Sequence, residues 1–81
     1  MSDQRDRLPP YRRIASDLRA EIKAGRYLPG QQVPSVTKLC ETYSVTRNTA
    51  IRALRVLKDD GLIVIEQGWG SFVADPLPPP D

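Results

Sequence analysis

The feature that most constrains this chain is the stretch from Pro34 to Gly61, where two amphipathic helical patterns are separated by only a few residues. Ser35 follows a proline and precedes Val36, Leu39, Cys40 and Tyr43, so it is placed to cap a short helix whose apolar positions recur at three- and four-residue spacing. Thr46 is placed to cap a second helix, in which Ala50, Ala53, Leu54 and Leu57 form the apolar stripe. Gly61 then offers the left-handed backbone that ends many helices. Cys40 and Ile51 are expected in the core.

Two short helices joined by a tight turn make a helix-turn-helix, whose second helix presents its first turn to the DNA major groove. That turn is Thr46-Arg47-Asn48-Thr49. Arginine can donate two hydrogen bonds to guanine, asparagine can pair with adenine, and the open N–H groups of a helix start attract phosphate. Between Tyr43 and Lys58 stand four cations, Arg47, Arg52, Arg55 and Lys58, and no acid. Such segregation is an electrostatic footprint of nucleic-acid binding. Arg52, Arg55 and, on the preceding helix, Ser35 and Lys38 suit backbone contacts, which position a protein without reading sequence. A basic helix face is also what a merely solvated surface looks like, and Asn48 and Thr49 are as well suited to finishing the helix start.

The flanks favour DNA. Residues 1–9 are polar and read as a flexible arm, including Arg5 and Arg7. Tyr11, Ile14, Ala15, Leu18 and Ile22 predict a first helix from Pro10 to about Ala24, stopped by Gly25, with Arg12 and Arg13 able to reach a DNA backbone. Pro29-Gly30 predicts a turn, and the segment from Arg26 to Pro34 has room for one short strand. Leu62-Ile63-Val64-Ile65 and Ser71-Phe72-Val73 around Gly68-Trp69-Gly70 predict a β-hairpin. Strict alternation in it would leave either Val64 or Ile65 facing outward. Residues 75–81, with Pro76, Pro78, Pro79 and Pro80, read as a proline-rich tail or linker. The expected architecture is therefore mainly α with a small β-hairpin, a winged helix-turn-helix of three helices plus wing over residues 10–74. Trp69, between two glycines at the wing tip, is placed either to stack on or wedge into DNA, or to fold back on its own hairpin.

Tyr11 with Ile14, Leu18 and Ile22, Pro29-Gly30, Pro34-Ser35, Leu39, Val45-Thr46-Arg47 with Thr49, Ala53-Leu54, Gly61-Leu62, Gln67-Gly68, Gly70 and Phe72-Val73 together resemble the DNA-binding domain of the gluconate-repressor (GntR) family of bacterial transcription regulators. The resemblance covers Tyr11 to about Ala74. It implies DNA contacts at Arg47, Thr49 and the wing glycines Gly68 and Gly70, and a sensing or dimerising domain following the linker. It also implies two absent contacts, since the family commonly carries arginine where this chain has Thr37 and Ile51.

At 81 residues with 40% hydrophobic content, one small core absorbs most apolar positions, so no small-molecule effector site is expected within this chain. Formal net charge is only +2, so the local distribution of charge is the stronger argument for an anionic partner. A single cysteine and no histidine argue against a disulfide, a multi-cysteine zinc site and histidine-based catalysis. No cofactor, enzyme activity or membrane span is expected, and the setting reads as cytoplasmic. The expected partner is double-stranded DNA, bound by a regulator, with a possible homodimer on a two-half-site operator. The competing reading is a winged-helix module that docks another protein through the apolar run Leu62–Ile65.

Overall fold

A computed structural model describes residues 8–78; residues 1–7 of the expected arm and 79–81 of the expected tail lie outside the described residues. Helix α1 runs Pro10–Lys23, α2 Val36–Tyr43 and α3 Arg47–Asp59, followed by strands β1 Ile63–Glu66 and β2 Gly70–Val73. Proline opens α1 because the first helical N–H has no intrahelical acceptor to lose. Ser35 Oγ accepts from the Lys38 N–H at 3.1 Å and Thr46 Oγ1 from the Thr49 N–H at 3.4 Å, so both expected caps are present. Helices α1 and α3 end in the same way. The N–H of the residue after each glycine reaches back to the helix, Arg26 to Glu21 O and Leu62 to Leu57 O, while Gly25 and Gly61 hold φ of 84° and 78°.

Ile14, Leu18 and Ile22 of α1 pack on Ala50, Ala53, Leu54 and Leu57 of α3, with Leu39 of α2 closing one side. Ile14, Ala50, Ala53 and Leu57 are fully buried. Burying a leucine of this kind contributes about 1.5–3 kcal/mol of transfer free energy, which makes this seam the main source of stability in so small a domain. Cys40 is half-buried and packs on the core cluster, whereas Ile51 stands outside it. The expectation for Ile51 is corrected because it follows Ala50 by one residue, rotated by about 100° from the stripe. It falls instead on the ridge Arg47-Ile51-Arg55, whose members are four residues apart.

Strands β1 and β2 pair antiparallel in the register Ile63↔Val73 to Glu66↔Gly70. The short strand anticipated before Pro34 exists as a bridge of Gln32 to Phe72, with Val33 N–H donating to Ser71 O at 2.9 Å and Val73 N–H to Gln31 O at 2.8 Å. Ile63 and Val73 are buried at the root of the wing. Beyond the root β1 buries neither Val64 nor Ile65, each 44% exposed, whereas β2 keeps its alternation with Ser71 and Val73 buried. At the other end Leu77 packs against the core, and Pro78 lies beside Gly61, so the proline-rich stretch begins against the domain.

Two features of α2 generate predictions. Ser44 ends it with φ 56°, a left-handed backbone that costs a non-glycine residue about 1–2 kcal/mol. Ser44→Gly should therefore raise unfolding free energy by about 0.5–1 kcal/mol after the larger entropy of the unfolded glycine is subtracted, as measured by urea denaturation. Tyr43 ties α2 to α1 by donating its hydroxyl to Asp17 Oδ2 at 3.0 Å. Burial first, then this hydrogen bond and the nearby carboxylates, push its phenol up to about 12. Because the folded state holds the proton more tightly, the stabilisation is complete below the unfolded value near 10 and is lost as pH rises from about 10 to 12. Tyr43→Phe should flatten the fall in melting temperature across that window.

Candidate nucleic-acid interface

The turn from Ser44 to Thr46 sets the start of α3 at the surface. Thr46 and Thr49 use their side chains on the helix start, with the cap at 3.4 Å and the two hydroxyls 3.2 Å apart. Ser35 is likewise committed to capping α2. Thr49 thus does the local work that the sequence offers for it as the alternative to DNA contact, Ser35 and Thr46 act as the expected caps, and both helix starts keep N–H groups without an intrahelical acceptor. Arg47, Asn48 and Arg55 are exposed, and their side chains have no hydrogen bond or ion pair among the described residues. Lys38 on α2 is exposed as well, with its backbone N–H on Ser35. Ile51, half-exposed, sits between Arg47 and Arg55, one turn from each.

Arg52 has a different environment. Its guanidinium lies 4.0 Å from the centroid of the Tyr11 ring, while Arg12 donates to the Tyr11 hydroxyl at 3.1 Å and lies 5.9 Å from the same ring. One aromatic ring on α1 therefore gathers two cations from two helices, within the range in which the ring quadrupole attracts a cation. The Arg12 hydrogen bond, with the positive fields of Arg12 and Arg52, holds the Tyr11 phenol below its ordinary pKa against the opposing effect of desolvation. Sequence reasoning placed Tyr11 only on a helix stripe. Its spacing to Arg12 was visible, but its approach to Arg52 depends on how α1 crosses α3. Arg19, farther along α1, pairs with Asp60 across two half-exposed side chains, a contact worth little in solvent.

At the wing, Trp69 N–H donates to Glu66 O at 3.0 Å, closing a turn in which Gly68 takes the third position with φ 83°, as a type II turn requires. Trp69 is 79% exposed, so it does not fold back on its hairpin. Gly70 follows with φ 117°. The structure thus brings Arg47, Asn48, Ile51 and Arg55 onto one ridge system of α3, and puts Gly68, Trp69 and Gly70 on a separate projection. Among the described residues there is no group of three or more potential metal ligands, and no helix is long and apolar enough to cross a membrane.

Comparison with known proteins agrees with this arrangement. Residues 10–73 match the model of the bacterial regulatory proteins of the gntR family. A histidine utilization repressor of Pseudomonas aeruginosa is 41% identical over 68 residues, covering 84% of this chain and 27% of that protein. A probable fructoselysine utilization operon transcriptional repressor of Escherichia coli K12 is 38% identical over 63 residues, covering 78% and 26%. The chain thus spans about a quarter of the length of these relatives. The crystal structure of the AraR DNA-binding domain in complex with operator ORR3 superposes with a TM-score of 0.80 at 34% identity, covering 83% of this chain and 81% of that one. The family and these relatives are DNA-binding regulators and not enzymes. An α1–α3 core, a capped α3 with no acid before Asp59 and a glycine-tipped wing, matched over residues 10–73, place the chain in the gntR family of bacterial regulatory proteins as a winged-helix DNA-binding domain.

Proposed function

We propose that this chain is the operator-reading domain of a cytoplasmic transcription repressor. In this reading the first turn of α3 enters the major groove, and the wing meets the minor groove or the backbone. The observation that carries it is the exposed ridge of α3, where Arg47 and Arg55 face solvent with no partnering carboxylate among the described residues. Uncompensated cations on an exposed helix face can neutralise phosphates and release the counterions condensed on them. Arg47, nearest the helix start, has the reach and fork geometry for guanine, and Asn48 for adenine. Ile51 puts an apolar surface between two arginines, which suits the 5-methyl group of thymine. Lys38, Arg52 and Arg55, with the helix starts at Ser35 and Thr46–Thr49, hold the backbone, and Tyr11 fixes the direction of Arg52. Two half-sites call for two copies of the domain, so the operator is read by a pair of chains. The relatives named as repressors and the neighbour bound to its operator support the same reading.

Selection of bound duplexes from random DNA tests this directly: an enriched motif is expected, and recovery of unselected sequence would refute sequence-specific binding. On the enriched duplex, Arg47→Ala should cost about 1–3 kcal/mol and flatten discrimination at one base pair. Arg55→Ala should weaken all duplexes alike and reduce the salt slope of log affinity by about one. Identical behaviour of the two variants would remove the base-reading role of Arg47. Trp69 is the sole tryptophan and reports on itself. Its fluorescence should change on duplex addition, and Trp69→Ala should weaken binding by up to about 1–3 kcal/mol, the range for an aromatic stacked on a base.

A further inference from the structure

We propose that Gln32 is a positioning residue that braces the tip of the wing and with it Trp69. The proposal rests on the reading that the wing engages DNA, and its test keeps the two apart. Gln32 makes the bridge to β2, where its pairing with Phe72 and the flanking bonds from Val33 to Ser71 and from Val73 to Gln31 fix its backbone against that strand. The bridge extends no farther toward the tip. The Gln32 side chain spans the remaining distance, and its Nε2 donates to the carbonyl oxygen of Trp69 at 3.1 Å.

Gly70 supplies an independent observation. A Cβ at Gly70 would lie 2.5 Å from Gln32 Nε2 and 3.5 Å from its Cδ, so the amide of Gln32 fills the space in which residue 70 would carry a side chain. With φ 117°, Gly70 is also in a backbone region that favours glycine. The glycine and the glutamine are therefore two halves of one contact. Trp69, largely exposed, has little packing of its own to direct it, and a two-stranded hairpin alone is marginal in water. Its direction follows from the backbone at the tip, which the turn bond to Glu66 and the Gln32 brace hold. A tip ordered in advance does not have to be ordered on binding, and that difference appears as affinity.

Gln32→Met tests the brace, because methionine keeps the length and approximate volume of the side chain and removes the donor. In the free chain, amide relaxation at Trp69 and Gly70 should show lower order than in the parent, with the melting temperature unchanged. On the selected duplex, affinity should fall about three- to tenfold, the range for one lost hydrogen bond. Because the effect acts through Trp69, Gln32→Met should add nothing in a Trp69→Ala background. A tip as ordered in the variant as in the parent would overturn the proposal. So would simple additivity of the two substitutions, which would mean that Gln32 touches DNA itself. If the variant loosens the tip while Trp69→Ala leaves affinity intact, the brace stands and the DNA role of the wing tryptophan falls.

Discussion

Everything in this domain depends on the seam between α1 and α3. Ile14, Leu18 and Ile22 on one side meet Ala50, Ala53, Leu54 and Leu57 on the other. The α3 stripe is small in its first half, with Ala50 and Ala53, and large in its second, with Leu54 and Leu57. The seam is the larger part of the buried core, so the same contact that stabilises the fold also fixes the orientation of α3. Because the stripe uses one side of α3, the opposite side is left for arginine and asparagine. In the proposed reading stability and recognition occupy different faces of one helix, and substitutions on the exposed ridge are expected to alter binding with little effect on folding.

The two projections of the molecule are held in different ways. The first turn of α3 is fixed at its base by the Thr46 cap and by Ser44, which accepts a strained left-handed backbone to reverse the chain after α2. The outer part of β1 is exposed on both sides. The root of the wing is buried through Ile63 and Val73, and its outer part relies on the bridge to β2 and on the Gln32 side chain. In the proposed reading, a capped helix start under Arg47 and a side-chain brace at Trp69 suit different tasks. A base-reading arginine needs fixed geometry, whereas a groove-entering wing follows a surface whose width varies with sequence.

Aromatic residues connect these parts. Tyr43 joins the end of α2 to α1 through Asp17, and Tyr11 gathers Arg12 and Arg52 where α1 passes α3. Both lie on the helix stripes and so read as core residues. Both also direct polar neighbours, because a tyrosine at the edge of a core presents an apolar ring to one side and a hydroxyl to the other.

The sequence by itself determined the three helices, their caps, the hairpin and the basic ridge. These follow from local rules: periodicity places the stripes, Ser35 and Thr46 satisfy N–H groups within three residues, and Gly25 and Gly61 take backbone angles that disfavour other residues. The resemblance to a known family was legible for the same reason, since its anchors are these local signals. Tertiary structure decided what depends on distant pairs. Ile51 left the core because a single residue of rotation carries it from the buried stripe to the Arg47–Arg55 ridge. Val64 and Ile65 are both exposed because the rest of the chain covers neither side of the outer half of β1, a matter of tertiary packing that strand alternation does not encode. Trp69 stands away from its hairpin, and Gln32, unremarkable in a polar loop, reaches the wing tip only because its backbone bridges to β2 across some forty residues of chain.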